Sequence, residues 1–451
     1  MKNRIKLSTT QLILISFLIV IFTGSALLSL PISSKNGKAV PYIDALFTAT
    51  TSTCVTGLVT VPTFSTWSTF GQIVILLLIQ IGGLGVITVL SGITIALNRK
   101  IKLKDSRLIS DAFNLSTLEG LSKFVKKVIL GTFVVESIGA LLYMTVFIPQ
   151  FGLKGIWISV FTSISAFCNA GIDIFAPDSL AQYVSNPIIN FVTCLLIVLG
   201  GLGYIVWWDI IRVVKKGHGR GFMRLRSLTL HSKITLVATT VLIFGGAILF
   251  FLFEYSNPLT MGSLSLYDKI QASFFQSVTT RTAGFFTIPQ ENLTSGSAIT
   301  SLLLMFIGGS PVGTAGGVKT VTIAVLFVTA YAAITNREEV ALFNRSLSKQ
   351  ITRKAVAVTM MSFSIMMIST LALSFVCDAS VIDIVYETVS ATATVGLSRN
   401  LTSFLNNWGK IIILCTMYLG RIGPISLAIA FSYKKEKQNN IKNPTEEISV
   451  G

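Results

Sequence analysis

Apolar positions fall into eight long stretches, at 10–30, 71–97, 124–149, 187–211, 233–254, 298–334, 353–377 and 408–432. A helix crosses the hydrocarbon core of a bilayer in about 20 residues, so each stretch can span one. The pattern predicts an all-α integral membrane protein with eight transmembrane helices. Between the first and second stretches, and again between each later pair, lies a less apolar segment of about a dozen residues, too short to cross. Its backbone cannot face lipid unsatisfied, so protein or a water-filled space must cover it.

Composition agrees with this reading: 52% of residues are apolar and 12% are charged, against roughly 25% charged in soluble domains. The excess of 36 Lys and Arg over 19 Asp and Glu leaves a formal charge of +17, which invites a nucleic-acid reading. Placement removes it. Most of the cations lie at the amino terminus (Lys2, Arg4, Lys6) and in the loops after the second, fourth, sixth and eighth stretches. Those loops carry Arg99 to Lys127, Arg212 to Lys233, Arg337 to Lys354 and Lys434 to Lys442 respectively. The alternate loops hold few, so the positive-inside rule puts both termini in the cytoplasm. The opening run also has the form of a signal peptide, but its length and the repeat below make it the first span. Cys54, Cys168, Cys194, Cys377 and Cys415 form no CxxC pair, and His218 and His231 are the only imidazoles. Buried free thiols are expected, with no zinc site.

The short segments repeat. They read FTATTSTCVTGL (47–58), FTSISAFCNAGI (161–172), FFQSVTTRTAGF (274–285) and YETVSATATVGL (386–397), with Gly57, Gly171, Gly284 and Gly396 spaced 114, 113 and 112 residues apart. An aromatic precedes each glycine by ten positions: Phe47, Phe161, Phe274 and Tyr386. A small residue precedes each by five: Ser52, Ala166, Thr279 and Ala391. The following stretch carries a second element, IGGLG (81–85), LGGLG (199–203), IGGSP (307–311) and LGRIG (419–423). Two elements recurring together four times establish an internal repeat, with units at 8–98, 120–214, 232–335 and 352–433 and a tail at 434–451. Four span–pore-segment–span units around an axis would surround one central pore.

A cation filter replaces the hydration shell with backbone carbonyls, and glycine permits the conformations that turn carbonyls inward. The segments Val55-Thr56-Gly57, Asn169-Ala170-Gly171, Thr282-Ala283-Gly284 and Thr394-Val395-Gly396 are the candidates, with K+ at their carbonyls. The blander alternative is four glycines that merely close re-entrant turns. The fourfold pattern, with TTRTAGF in the third unit, resembles the Trk/Ktr/HKT superfamily of potassium transporters over about residues 8–433. Eight spans without an additional amino-terminal pair resemble its KtrB-type membrane subunit. The resemblance implies one filter glycine per repeat. Serine at the first such position accompanies sodium selectivity in related plant transporters, so Gly57 favours potassium. It further implies a homodimer with one pore per subunit in a bacterial plasma membrane, a cytoplasmic ring of KtrA-type nucleotide-binding subunits, and possible activation by Na+. No cofactor bound by this chain is implied.

The sixth stretch is interrupted by GGSPVGTAGGVKT (308–320), which no regular helix tolerates. Family resemblance makes it a gating loop below the filter, built from Gly308, Gly309, Pro311, Gly313, Gly316, Gly317 and Lys319; a simple kink is the alternative. A phosphate-binding loop is excluded, because Gly316-Gly317-Val318 precedes Lys319. Arg421 stands where the first three repeats have Gly83, Gly201 and Gly309. A cation so deep normally faces an interior cavity; there it would act as a barrier, as the family's gate arginine is proposed to do, the alternative being a structural salt bridge or a snorkelling side chain. Arg281 is expected to be structural, and Arg399, just past the fourth glycine, departs from the family's small or polar residues. Asp44, Asp173, Asp268 and Asp383 are expected near the outer mouth, either attracting cations or simply solvated. Glu136 is expected to pair within the bundle, and Asp209 to sit at the inner interface.

The resulting expectation is potassium uptake by a chain that is not an enzyme. A Na+-permeable or poorly selective channel of the same architecture is the alternative. An alternating-access carrier would need inverted repeats and midplane acids, an intramembrane enzyme a nucleophile and base, and a membrane scaffold would leave the aligned glycines without purpose.

Overall fold

The computed structural model describes residues 9–96, 121–176, 178–215, 226–337 and 339–423. The cations at Lys2, Arg4, Lys6, Arg99, Lys100, Lys102, Lys104, Arg107, Lys215's neighbour Lys216, Arg220 and Arg224 lie outside the described residues, as do His218 and the tail 434–451. Helix dominates what remains. Four helices are long and apolar enough to cross a membrane: α1 (Thr9–Leu28), α5 (Leu121–Phe151), α9 (Leu230–Glu254) and α13 (Lys349–Val376).

Each is followed by a short helix, respectively α2 (Tyr42–Cys54), α6 (Lys154–Cys168), α10 (Leu266–Thr279) and α14 (Val381–Ala393). Each short helix is followed in turn by an apolar helix that does not run on. These are α3 (Thr69–Leu84) with α4 (Val86–Ala96), α7 (Pro187–Leu202) with α8 (Tyr204–Lys215), α11 (Ser295–Phe306) with α12 (Thr320–Ile334), and α15 (Asn407–Ile422). Starts are written locally in the sequence. Asn186 accepts from the Ile188 and Ile189 N–H groups ahead of Pro187, while Ser68, Thr294 and Asn406 cap α3, α11 and α15 in the same way. A two-residue hairpin, Ala341–Leu342 against Arg345–Ser346, connects α12 to α13.

The breaks correct the expectation that only the sixth stretch is interrupted. At Gly85 (φ 83°) and Gly203 (φ 87°) the chain leaves the helical region for one residue, and α15 ends at Gly423 (φ 84°). These are equivalent positions in the second repeated element. At Gly203 the result is a 95° bend between α7 and α8. Only glycine adopts that conformation without strain. In the third unit the same point opens into the whole irregular segment between Phe306 and Thr320.

Burial is inverted relative to a soluble protein. The long helices expose large apolar groups outward, such as Leu130, Phe244, Ile368 and Phe375. The short helices at the centre are almost wholly buried and polar; Thr48, Thr50, Thr51, Ser52 and Thr53 are all inside. Lipid tails accept the apolar shell, and the hydroxyls bond to backbone carbonyls one turn back, as Thr48 does to Asp44 (2.8 Å).

Candidate functional site

Beyond the ends of α2, α6, α10 and α14 the chain carries Gly57, Gly171, Gly284 and Gly396 into a single closed ring. A Cβ on Gly57 would sit 2.5 Å from the Ala170 oxygen, and one on Gly171 2.4 Å from the Ala283 oxygen. A Cβ on Gly284 would meet the Val395 oxygen at 2.8 Å, and one on Gly396 the Thr56 oxygen at 2.2 Å. Each glycine therefore faces the carbonyl of the next segment, in sequence order, and the fourth closes on the first. Real Cβ atoms do not approach within 3.0 Å, so a side chain at any of the four positions would force the ring apart.

A second regularity was invisible in the sequence. Two residues before each glycine, Val55 (φ 55°), Asn169 (φ 62°), Thr282 (φ 67°) and Thr394 (φ 51°) all adopt the left-handed conformation. Three of these are β-branched, for which such a conformation costs about 1–3 kcal/mol. The reversal turns N–H groups back onto the short helices. Gly57 and Gly396 donate to Thr51 Oγ1 and Ser390 Oγ, both at 3.0 Å. Ser165 accepts from the Ile172 N–H at 3.0 Å and donates to its carbonyl at 2.7 Å. A hydroxyl six positions before the glycine is thus the informative residue in units one, two and four, rather than the small residue at five. The third unit has Val278 there, and its neighbour Thr279 donates to the Phe285 carbonyl at 2.5 Å.

With the N–H groups so occupied, the oxygens are left over. Among the described residues, no N–H or O–H donates to a carbonyl of 55–57, 169–171, 282–284 or 394–396. All four short helices also aim their partly negative C-terminal ends at this ring.

The irregular segment 307–319 lies against one side of the ring. Thr314 Oγ1 donates to the Phe167 carbonyl (3.1 Å) and Asn169 Oδ1 (3.0 Å), and the Gly316 N–H to Thr282 Oγ1 (3.2 Å). A Cβ on Gly316 would lie 2.0 Å from Thr394 Oγ1. Gly308, Gly309 and Gly317 pack within the segment, and Gly313 against the Gly200 carbonyl. Pro311 precedes Val312, whose carbonyl accepts from the Tyr204 N–H just past the α7–α8 bend (3.0 Å). Arg421 bridges this segment to the first unit, donating to the Thr314 carbonyl (2.6 Å) and the Gly82 carbonyl (2.5 Å). Lys319 turns back to the Ala315 carbonyl (2.6 Å). Every residue assigned from the sequence to ring or loop is thus found in one assembly.

The surrounding charges are more engaged than expected. Asp44 is buried and paired with Lys410 (2.6 Å), and Asp383 is paired with Arg399 (2.7 Å), so neither is a free solvated charge. Asp268 accepts from the Ser265 hydroxyl at its own helix start (2.8 Å). Asp173, two residues past Gly171, is half-buried, and burial pushes its carboxyl up to about 7. Glu136 bonds to Gln80 Nε2 (3.2 Å) rather than to a cation, and buried Arg281 reaches Thr239 Oγ1 (3.4 Å). Asp209 accepts from Arg212 (2.5 Å) and the Thr229 N–H (2.9 Å), joining α8 to the start of α9. Sequence reading overlooked Glu387, fully buried on α14, which accepts from Ser398 (2.7 Å) and Thr402.

Residues 2–443 match TrkH, the cation transport protein family. The chain belongs to that family. A TrkH-family relative, Ktr system potassium uptake protein B of Bacillus subtilis, is 39% identical, with 99% of this chain and 98% of the relative covered. Potassium/sodium uptake protein NtpJ of Enterococcus hirae is 36% identical, covering 100% of this chain and 99% of its own. The crystal structure of the potassium transporter TrkH from Vibrio parahaemolyticus shares the fold with a TM-score of 0.75 at 15% identity, covering 96% of this chain and 86% of that one.

Proposed function

We propose that this chain is the ion-translocating subunit of a potassium uptake system, with the four glycine segments as its selectivity filter. The observation that carries the reading is the ring of buried carbonyls that no group among the described residues satisfies. Buried backbone carbonyls are otherwise almost always paired. A dehydrated monovalent cation supplies what is missing, and convergent carbonyls are the means by which filters replace a hydration shell.

Each broken helix pair counts as one crossing, so the chain crosses eight times in the four units read from the sequence. Both termini are cytoplasmic, in a bacterial plasma membrane. Inward flow is driven by the membrane potential, about 2.3 kcal/mol per charge per 100 mV. Segment 307–319 and Arg421 form the gate: a fixed guanidinium next to the ion path opposes a passing cation, and moving the segment removes the obstacle. The names of the B. subtilis and E. hirae relatives support K+ as cargo, the first within a multi-component system; the sequence resemblance adds a homodimer and a KtrA-type regulatory ring as partners. The names also leave Na+ as activator or second cargo. Glycine at position 57 favours K+.

The test is growth at low K+ and Rb+ uptake in cells that lack their own potassium transporters. Wild-type chain restores both. Gly57→Asp, present in the membrane at equal abundance, restores neither; uptake at the wild-type rate would sink the filter assignment.

A further inference from the structure

The aromatic ten residues before each ring glycine is phenylalanine in three units and tyrosine in the fourth. The extra hydroxyl of Tyr386 is buried and donates to Gln290 Oε1 at 3.1 Å. Gln290 lies six residues past Gly284, on the strand of chain that leaves the third segment. It forms a reciprocal amide pair with Gln276 of α10, at 2.7 and 3.1 Å, and also donates to the Ile288 carbonyl (2.8 Å). Both glutamines are essentially without solvent exposure. Arg399, two residues after the fourth segment, extends the same network. Its Nε pairs with Asp383 at the start of α14, while its two terminal nitrogens donate to the Gln290 (3.1 Å) and Glu291 (3.0 Å) carbonyls.

The third and fourth segments are therefore stapled together twice, through Tyr386 and through Arg399. The other junctions are tied as well: Trp157 to Gln72 (2.9 Å) and Gln80 to Glu136 (3.2 Å) between units one and two, the Leu180 N–H to the Phe286 carbonyl (3.0 Å) and Gln271 to the Val184 carbonyl (2.8 Å) between two and three, and Lys410 to Asp44 and Arg421 to the Gly82 carbonyl between four and one. What sets the third–fourth junction apart is an intruder. Gly316 of the irregular segment reaches the ring between Thr282 and Thr394, the left-handed residues of these same two segments. When that segment moves, the junction most exposed to the disturbance is the third with the fourth.

We infer that Gln290, Tyr386 and Arg399 are positioning residues that hold the third and fourth segments at one spacing, so that ion discrimination survives movement of the 307–319 segment. The inference rests on the filter reading above. None of the three touches the ion. Their effect passes through the Ala283 and Val395 carbonyls, whose separation sets the cage that a K+ ion fills and a smaller Na+ ion fits poorly.

The experiment measures Rb+ uptake and its ratio to Na+ uptake, in the full chain with its regulatory subunits. Tyr386→Phe removes one oxygen and restores the residue type of the other units, so folding is preserved. Uptake stays near wild type while the Rb+/Na+ ratio falls about three- to ten-fold, the worth of a buried hydrogen bond. Arg399→Ala lowers the ratio further and Arg399→Lys partly restores it. Gln72→Leu, cutting the link between units one and two, leaves the ratio unchanged, which a merely structural role for all these bonds does not predict. An unchanged ratio in both Tyr386→Phe and Arg399→Ala, with a changed ratio in Gly57→Ser, overturns the positioning role and spares the filter. No change in any of them, Gly57→Ser included, overturns the filter reading and this inference with it.

Discussion

In the glycine ring the carbonyls of Thr56, Ala170, Ala283 and Val395 each lie against the glycine of a neighbouring segment, and none has a donor among the described residues. A few ångströms away, in segment 307–319, several carbonyls are taken. Gly309 accepts from the Thr320 N–H (3.0 Å), Val312 from the Tyr204 N–H, Gly316 from the Gly309 N–H (3.2 Å), Thr314 from Arg421 and Ala315 from Lys319. Both regions are irregular backbone at membrane depth, where each unsatisfied polar group is expensive. The ring is tolerable only if something outside the protein satisfies it. The segment is held in part by its own Lys319 and by Arg421 from the fourth unit, which on the proposed function lets it persist as a plug. On that same function, the difference separates a surface made for an ion from one that occupies the ion's place.

Filling the ring is the most drastic way to break this contrast. Gly284→Asp puts a side chain where the Val395 oxygen already lies within 2.8 Å of a Cβ, and Rb+ uptake is expected to fall at least about ten-fold, with the overpacking felt in stability as well. Next is Arg421→Ala, which removes a charged donor from the Thr314 and Gly82 carbonyls together. Each charge-assisted bond is worth about 1.5–3 kcal/mol, so the closed arrangement loses its main tie and basal Rb+ flux into liposomes rises several-fold. Flux equal to wild type in that variant would refute the barrier role. Lys319→Met frees only the Ala315 carbonyl within the same segment. Its basal flux should rise by less than that of Arg421→Ala; a larger rise would reverse the assignment of the main tie.

The smallest effect expected is at Asp173. Its carboxyl titrates near 7 because burial disfavours the charged form. Above that pH the mouth carries a negative charge, and as external pH falls through it the charge is lost and cation entry slows. Even at the strength it has in water, one charge at about 4 Å is worth about 1 kcal/mol, so uptake at limiting Rb+ should drop by about five-fold between pH 8 and 6. Asp173→Asn should flatten that profile at the low-pH level, and a profile still sloping in the variant would assign the titration elsewhere.

Much of the site was legible because the repeat aligned it. The four glycines, the irregular 308–320 segment and the deep Arg421 stood out as departures from an otherwise apolar pattern. The breaks at Gly85, Gly203 and Gly423 did not, since one glycine in an apolar run reads as a tolerable helix residue until its φ is known. Nor did the left-handed Val55 and Thr394, whose residue types disfavour that conformation. Arg399, an anomaly for the family pattern in sequence, became intelligible only when Asp383 and the Gln290 carbonyl were found beside it.

Sequence by itself determined where helices are long enough to cross, where they cannot continue, and that four segments are equivalent. Those are consequences of local composition, because hydropathy and glycine content act on the residues that carry them. Which carbonyls stay unpaired, and which cations tie down the 307–319 segment, was decided by the tertiary structure alone. Gly57 meets Ala170, and Arg421 meets Gly82, across long separations along the chain. A hydrogen bond or a clash at that range depends on distance in space, which no local pattern records.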